Sequence, residues 1–148
     1  MSQLVDALYA DHRRIEAKLD EVDRVARGPW SPFPTAFFEE MISFVKDFAD
    51  GEHHHREETI LFPALVQAGV PVEHGPIAVM LHEHDLGRDC MRRIRENLDA
   101  AKGGDEAAAA AVFTAATEYT ELLRAHIWKE DNVLFPLANR LLTGAVAA

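Results

Sequence analysis

The chain has 148 residues, of which 48% are hydrophobic and 27% are charged, and its formal net charge is −10 at pH 7. This length suffices to bury the core of one ordinary domain, so we expect a single domain over residues 1–148. The sequence contains no apolar run of the ~20 residues that cross a bilayer and no secretory signal, which predicts a cytoplasmic protein without membrane contact. The negative charge argues against nucleic-acid binding, because a phosphate-binding surface requires an excess of Lys and Arg.

The first half of the sequence predicts two long helices. Apolar residues recur at steps of three, four and seven from Leu4 to Val22, which is the pattern of an amphipathic helix over residues 2–27. Three prolines within residues 28–34 disfavour helical geometry and end this helix. We expect Thr35 to cap a second helix that continues to Gln67.

The second half predicts two further helices. Residues 69–75 contain Gly and Pro and form the next break, after which Pro76 suits the first turn of a third helix that runs to Ala101. A Lys-Gly-Gly sequence ends it, and Asp105 is an N-cap for a fourth helix that reaches Leu142. Four long helices with short connections indicate an all-α, antiparallel up-down-up-down four-helix bundle.

One sequence pattern occurs twice: His, three residues, Glu, an acid, two residues, then Leu-Phe-Pro. It spans residues 53–63 in the second helix and residues 126–136 in the fourth. These helices run in the same direction across the bundle axis, so the two copies are related by a pseudo-twofold axis. Proline inside a helix destabilises it by roughly 3 kcal/mol unless packing in the bundle accommodates a kink. Because proline stands at the same place in both copies, we interpret it as a systematic feature of the pattern.

Each copy of the pattern presents two metal-binding side chains on one helix face. Residues four apart lie one turn along a helix and on the same side, so His53 with Glu57, and His126 with Glu130, each point toward one place. Each pair is therefore a candidate half-site.

The other two helices each carry a histidine at a similar depth. At ~1.5 Å per residue, His12 in the first helix and His84 in the third lie within roughly one layer of the two half-sites, given the helix bounds above. All four helices then contribute an imidazole to one level of the bundle.

The ligand types favour iron or manganese over structural zinc. Cys90 is the single cysteine, which excludes a disulfide within the chain and a thiolate metal site. Carboxylates on opposing helices are able to bridge two ions, and two carboxylates with four histidines suit a dinuclear site. Open positions on such ions are available to oxygen, hydrogen peroxide, nitric oxide or water.

The ordered set of motifs resembles the hemerythrin-like, or HHE cation-binding, family over nearly the whole chain. The motifs are Asp11-His12-Arg13, then His53-His54 with Glu57-Glu58, then Glu83-His84 with Gly87-Arg88, and finally His126-Ile127 with Lys129-Glu130-Asp131. The resemblance implies a hemerythrin-like bundle with two iron ions bridged by carboxylates and an oxo or hydroxo group; manganese or zinc are possible substitutes. The ligands it implies are His12, His53, Glu57, His84, His126 and Glu130, with Glu57 and Glu130 as the bridging carboxylates.

The sequence departs from the oxygen-carrying members at two positions. Those proteins have a histidine four residues before the equivalent of His84, where this chain has Met80. They also take their last carboxylate five residues after the final histidine, which here is Asp131, whereas we favour Glu130 because it matches Glu57. Both departures resemble the members that respond to nitric oxide, repair iron centres or sense iron.

Two further residues are possible additional ligands. His54 lies about 100° around the helix from His53 and is able to reach an ion between helices. Glu16 lies one turn from His12 and either replaces the ligand lost at Met80 or supports His12 from outside.

Several other polar residues are expected to have ordinary roles. We expect His55, His74 and His82 on the surface, and Glu58 and Asp131 as surface acids or supports for ligands. Tyr119 is either a core residue or a donor to a molecule bound at the metal. The paired Leu-Phe residues of the repeated pattern are expected in the core, where they keep the centre dry.

Three functions fit such a centre. The first is redox chemistry on hydrogen peroxide, oxygen or nitric oxide, as a catalase-like or detoxifying di-iron oxidoreductase whose catalytic residues beyond the metal are not identified. The second is a sensing or oxygen- or iron-binding module without turnover, in which iron loss alters helix packing. The third is an iron donor for repair, although repair-type relatives usually carry an extra N-terminal domain and this chain begins with the first helix. We rank redox chemistry first; no protein partner is identified.

Overall fold

Four long helices, α1 to α4, form the bundle in the computed structural model, which describes residues 1–142. α1 is Ser2–Ala26 and α3 is Pro76–Lys102. α2 is a continuous helical run made of Thr35–Phe44, Val45–His54, Glu57–Leu61 and Phe62–Gln67, and α4 is made of Glu106–Lys129, Glu130–Leu134 and Phe135–Leu142. Residues 1–142 contain no strand, which confirms the predicted all-α bundle. The last six residues of the predicted domain lie outside the described range.

None of these helices has the length and apolar composition that crossing a membrane requires, within residues 1–142. Two predicted helix starts hold: Pro76 lies in the first turn of α3, and the Asp105 carboxylate accepts a hydrogen bond of 3.0 Å from the Ala108 amide. The predicted cap at Thr35 is wrong. Thr35 is already helical, the preceding Pro34 is the N-cap, and no side chain caps this end. Its hydroxyl therefore lies one residue too late to act as a cap.

Three segments of α2 and α4 are π-helical, with wider turns than the α-helix. Two of them, Glu57–Leu61 and Glu130–Leu134, directly precede the Phe-Pro of the repeated pattern. A proline ring clashes with the carbonyl four residues earlier in an α-helix, and a wider turn relieves this clash without breaking the helix. The sequence predicted a distortion at both prolines, but not that it would be a π-helix.

The third π-helical segment, Val45–His54, ends at His53 and His54. It contains Gly51, where an added Cβ atom would lie 2.1 Å from the Lys46 carbonyl oxygen. Only glycine, which has no Cβ atom, avoids this clash. Gly51 therefore permits the wide turn, and the turn sets the direction of the histidines that follow.

The apolar core is divided into two clusters, one toward each end of the bundle. The upper core lies toward the 27–34 connection and includes Ile15, Ala49, Cys90 and Leu123, while the lower core includes Leu8, Leu61, Met80 and Leu134. The histidines and glutamates predicted as ligands lie between these two sets on every helix. This confirms that they share one level. Leu61, Phe62, Leu134 and Phe135, predicted as core, are all buried.

Candidate metal centre

A layer of buried polar side chains separates the upper core from the lower core. Its seven members are at most 4% exposed: His12, His53, His54, Glu57, His84, His126 and Glu130. α1 and α3 supply one imidazole each, and α2 and α4 supply the paired histidines and glutamates at four-residue spacing. The structure thus brings together all six residues predicted as ligands and adds His54.

The potential ligand atoms form two groups. One contains His12, His53, Glu57 and Glu130, and the other contains His54, Glu57, His84 and His126; within each group the atoms lie within 4.8 Å of one another. We refer to these as the two-histidine position and the three-histidine position. Glu57 belongs to both.

Both glutamates turn one oxygen toward each position. Glu57 Oε2 lies 3.6 Å from His53 Nε2, and its Oε1 lies 3.2 Å from His84 Nε2. Glu130 Oε1 lies 2.9 Å from His12 Nε2, and its Oε2 lies 3.5 Å from His126 Nε2. Two carboxylates placed between two sets of imidazoles have the arrangement needed to bridge two ions.

Met80, the position where a further histidine was absent from the sequence, is buried in the lower core. The third imidazole of the three-histidine position comes instead from α2. His54 stacks on His84, with ring centroids 3.8 Å apart and planes inclined by 18°. A histidine on a neighbouring helix therefore supplies the third imidazole that α3 lacks at Met80.

The outer nitrogen of every buried imidazole is held by a carboxylate. The Nδ1–O distances are 2.6 to 3.1 Å, in the pairs His12 with Asp131, His53 with Asp11, His54 with Asp50, His84 with Glu58, and His126 with Glu83. Because an ionised carboxylate only accepts hydrogen bonds, Nδ1 carries a proton in each ring, and Nε2 faces the interior, where that of His12 contacts Glu130 at 2.9 Å. This arrangement fixes the tautomer and orientation of metal-binding histidines.

Each of these outer carboxylates is also paired with a cation. The pairs are Asp131 with Arg13 at 2.5 Å, Asp11 with Arg56 at 2.8 Å, Asp50 and Glu58 with Arg88 at 2.9 and 2.8 Å, and Glu83 with Lys129 at 2.5 Å. The cations compensate the negative charge beside the buried layer and hold the carboxylates in place.

Sequence reasoning missed three of the outer carboxylates: Asp11, Asp50 and Glu83. Asp50 carried a usable signal, because it lies four residues before His54 on the same helix. Asp11 and Glu83 support histidines on other helices, so only the packed bundle identifies their partners.

The two buried glutamates differ in their affinity for protons. Burial and the neighbouring Glu130 raise the pKa of Glu57 well above its usual range. Burial acts in the same direction on Glu130, but the neighbouring His126, Glu57 and His12 outweigh it and hold the pKa of Glu130 well below its usual range. Without a metal, protonation therefore favours Glu57 over Glu130, and a bound cation would compete with it.

The imidazoles of the three-histidine position also differ from one another. Burial and nearby histidines lower the pKa of His54 to about 4 and that of His84 to about 2. Burial opposes protonation of His126 as well, but Glu130 and Glu83 raise its pKa to about 9. Two imidazoles are thus neutral at pH 7 and ready to bind a metal, while the third must lose a proton.

The donor set fits bound metal cations. Seven inward-facing atoms are buried without a hydrogen-bond partner: Nε2 of His53, His54, His84 and His126, both oxygens of Glu57, and Oε2 of Glu130. Buried polar atoms without partners are costly, and imidazole nitrogens and carboxylate oxygens are ligands that iron accepts. A pair of cations would satisfy these atoms together.

The remaining residues singled out from the sequence lie away from this layer. The Glu16 carboxylate is 41% exposed and pairs with Arg13 at 2.8 Å, so the structure does not bring it to the centre. Asp131, not Glu16, supports His12. His55, His74 and His82 are exposed.

A model of the hemerythrin HHE cation binding domain matches residues 3–138, which include the whole buried layer. The chain belongs to the hemerythrin family. The position of the histidines and glutamates on all four helices of this hemerythrin domain accounts for the ordered motifs of the sequence, and the resemblance inferred from them is confirmed.

The curated hemerythrin-domain relatives that match include proteins named iron-sulfur cluster repair protein YtfE. That of Dickeya chrysanthemi is 37% identical over 92 residues, covering 60% of this chain and 41% of the relative. Those of Yersinia pestis and Yersinia pseudotuberculosis are 32% identical over 125 residues, covering 82% of this chain and 54% of each relative. The chain thus spans about half the length of these relatives. No solved structure matches it.

Proposed function

We propose that the buried layer binds two iron ions and that the chain performs redox chemistry on hydrogen peroxide, oxygen or nitric oxide. The ligands in this proposal are His12 and His53 at the two-histidine position and His54, His84 and His126 at the three-histidine position, with Glu57 and Glu130 bridging. The observation that carries it is the placement of both carboxylates between two sets of imidazole nitrogens, four of which, on His53, His54, His84 and His126, have no hydrogen-bond partner.

The surrounding residues prepare the centre for this chemistry. The five outer carboxylates hold each Nε2 toward the interior, and the two apolar cores exclude water above and below. Bound iron would supply one-electron transfer to and from a small molecule. The two-histidine position would supply its ion with two imidazoles and two shared carboxylates, one imidazole fewer than the three-histidine position.

The names of the relatives favour a second function, the repair of iron–sulfur clusters, to which we propose that the chain would supply iron. In that case the same ligands would bind iron reversibly rather than permanently. The raised pKa of Glu57 means that a metal and a proton would compete for this carboxylate, so metal affinity would depend on pH, which suits a centre that releases its metal.

The deciding experiment is metal analysis of the purified protein together with peroxide consumption over many turnovers. About two irons per chain with sustained consumption supports the redox function. Two irons without turnover, but with transfer of iron to an apo iron–sulfur protein, supports the repair function. Absence of iron after reconstitution with ferrous iron contradicts both.

A further inference from the structure

A cavity of about 300 Å³ opens beside the three-histidine position. His54 and His84 lie at its inner end, and Ile42, Val45 and Met91 form apolar walls. The volume is sufficient for a small molecule of a few atoms together with water.

Most of the charged residues that line the cavity are cations, although the whole chain is strongly acidic. Its charged residues are Lys46, Arg88, Arg95 and Asp50. Arg88 is already paired with Asp50, whereas Lys46 and Arg95 form no ion pair with any residue in the described range 1–142. Two exposed cations beside an apolar passage attract anions and raise their local concentration.

A buried donor without an acceptor faces the same cavity. The Tyr119 side chain is 3% exposed, yet its hydroxyl has no hydrogen-bond partner. Burial, with Asp50 and Cys90 nearby, raises the pKa of Tyr119 above its usual range, so the hydroxyl stays protonated. A buried hydroxyl without a partner is costly, and a bound ligand would supply the missing acceptor.

We propose that this cavity admits and binds small anions, such as nitrite, azide or the hydroperoxide anion, with Lys46 and Arg95 attracting the anion and the Tyr119 hydroxyl donating to it. The inference rests on the proposed function, because it names the class of ligand that reaches the same metal centre. Neutral molecules would enter without help from the two cations.

The charge component is tested with the double variant Lys46→Gln/Arg95→Gln in the iron-loaded protein. We expect the association rate of azide, followed by stopped-flow absorption, to fall about three- to tenfold at low salt and to lose much of its dependence on ionic strength. The rate for nitric oxide, which is neutral, should not change. Arg92→Gln is the matched control, since Arg92 is an exposed cation of α3 outside the cavity and pairs with Asp89 and Glu96.

The hydroxyl component is tested with Tyr119→Phe, which removes one oxygen and preserves the ring. We expect the azide dissociation constant to rise about three- to tenfold, as loss of one hydrogen bond implies. The melting temperature and the iron content should stay at the level of the unmodified protein, because the hydroxyl makes no hydrogen bond in the structure.

A readout without iron separates this inference from the proposed function. Crystals soaked in bromide should show an anomalous peak within the cavity, near Tyr119 and Arg95, whether or not iron is bound. Failure to bind iron contradicts the proposed function alone. Unchanged azide kinetics in the double variant, or bromide found only outside the cavity, overturns the anion site.

Discussion

The five buried histidines use their two ring nitrogens for different purposes. Nδ1 donates outward to a carboxylate, and Nε2 faces the interior, toward the two glutamates. Neither a glutamate nor an asparagine would meet both requirements with the same shape. At the scale of single residues, the centre therefore depends on the imidazole ring itself.

His54 is the residue whose role was left open by the sequence, and a substitution tests it directly. His54→Gln should reduce bound iron from about two ions per chain to about one, because the three-histidine position keeps only two imidazoles. Iron is measured by mass spectrometry against protein concentration. His55→Gln, at the exposed neighbouring position, should retain the full amount. Equal iron in both variants would show that His54 is not a ligand.

The shifted pKa values of the buried histidines predict how the stability of the metal-free protein depends on pH. The folded-state pKa values of His54, about 4, and His84, about 2, lie below the unfolded value of 6.5. Their contribution is present above pH 6.5 and is lost as pH falls, since the unfolded chain then binds protons that the folded chain rejects. For His54 this loss approaches roughly 3 kcal/mol near pH 4.

His126 contributes to the pH dependence of stability with the opposite sign to His54 and His84. Its pKa is raised to about 9, so its stabilising proton is present below pH 6.5 and is lost as pH rises toward 9. Urea unfolding of the metal-free protein should therefore show greatest stability near about pH 6.5, with losses at about pH 5 and pH 9. A profile that is flat over this interval would contradict the assignment of these shifts.

At the scale of helices, α2 and α4 are the two that depart from regular α geometry. Their wide turns lie at or next to the paired histidines and glutamates. A wide turn changes the direction in which the following side chains point, so it determines where the imidazoles and carboxylates converge.

Gly51 and Gly87 offer a matched test of this geometry. Gly51→Ala places a Cβ atom against the Lys46 carbonyl, so the π-helical segment must rearrange; we expect a loss of stability of roughly 3 kcal/mol and weaker iron binding. Gly87→Ala is the control, because its nearest neighbours would lie at 3.5 Å or more and alanine favours a helix. Melting temperature and iron content measure both. Equal behaviour of the two variants would contradict a special role for Gly51.

The same elements show what the sequence predicts and what it does not. Helix number, the approximate helix bounds and the shared level of the ligands follow from apolar periodicity and spacing, which depend on local geometry. The π-helical turns do not follow from these patterns, because a proline disfavours regular α-helical geometry before it without specifying which geometry replaces it. The support of His53 by Asp11 and of His126 by Glu83 joins different helices, so it depends on packing.

At the scale of the whole molecule, the buried layer connects all four helices between two separate apolar cores. In the proposed centre its donors would share the bound ions, which would couple metal binding to bundle stability. Without bound ions the layer would destabilise the folded bundle, because several of its buried polar atoms have no hydrogen-bond partner.

Removal of the metal should therefore destabilise the entire bundle. Chelation of iron should lower the melting temperature by roughly 10 °C, as expected when a ligand at about a thousandfold excess over its dissociation constant is withdrawn. His53→Ala and His126→Ala should reproduce this in the absence of chelator, whereas His74→Ala, in an exposed connection, should not. An unchanged melting temperature after complete chelation would separate stability from metal binding.

The repeated pattern of α2 and α4 is not quite symmetric at the centre. His53 corresponds to His126, but His54 corresponds to Ile127, which packs in the upper core. One half of the bundle therefore offers an additional neutral nitrogen ligand. Two ions held there would differ in reduction potential, and the pair would accept electrons one at a time, in a fixed order, rather than together.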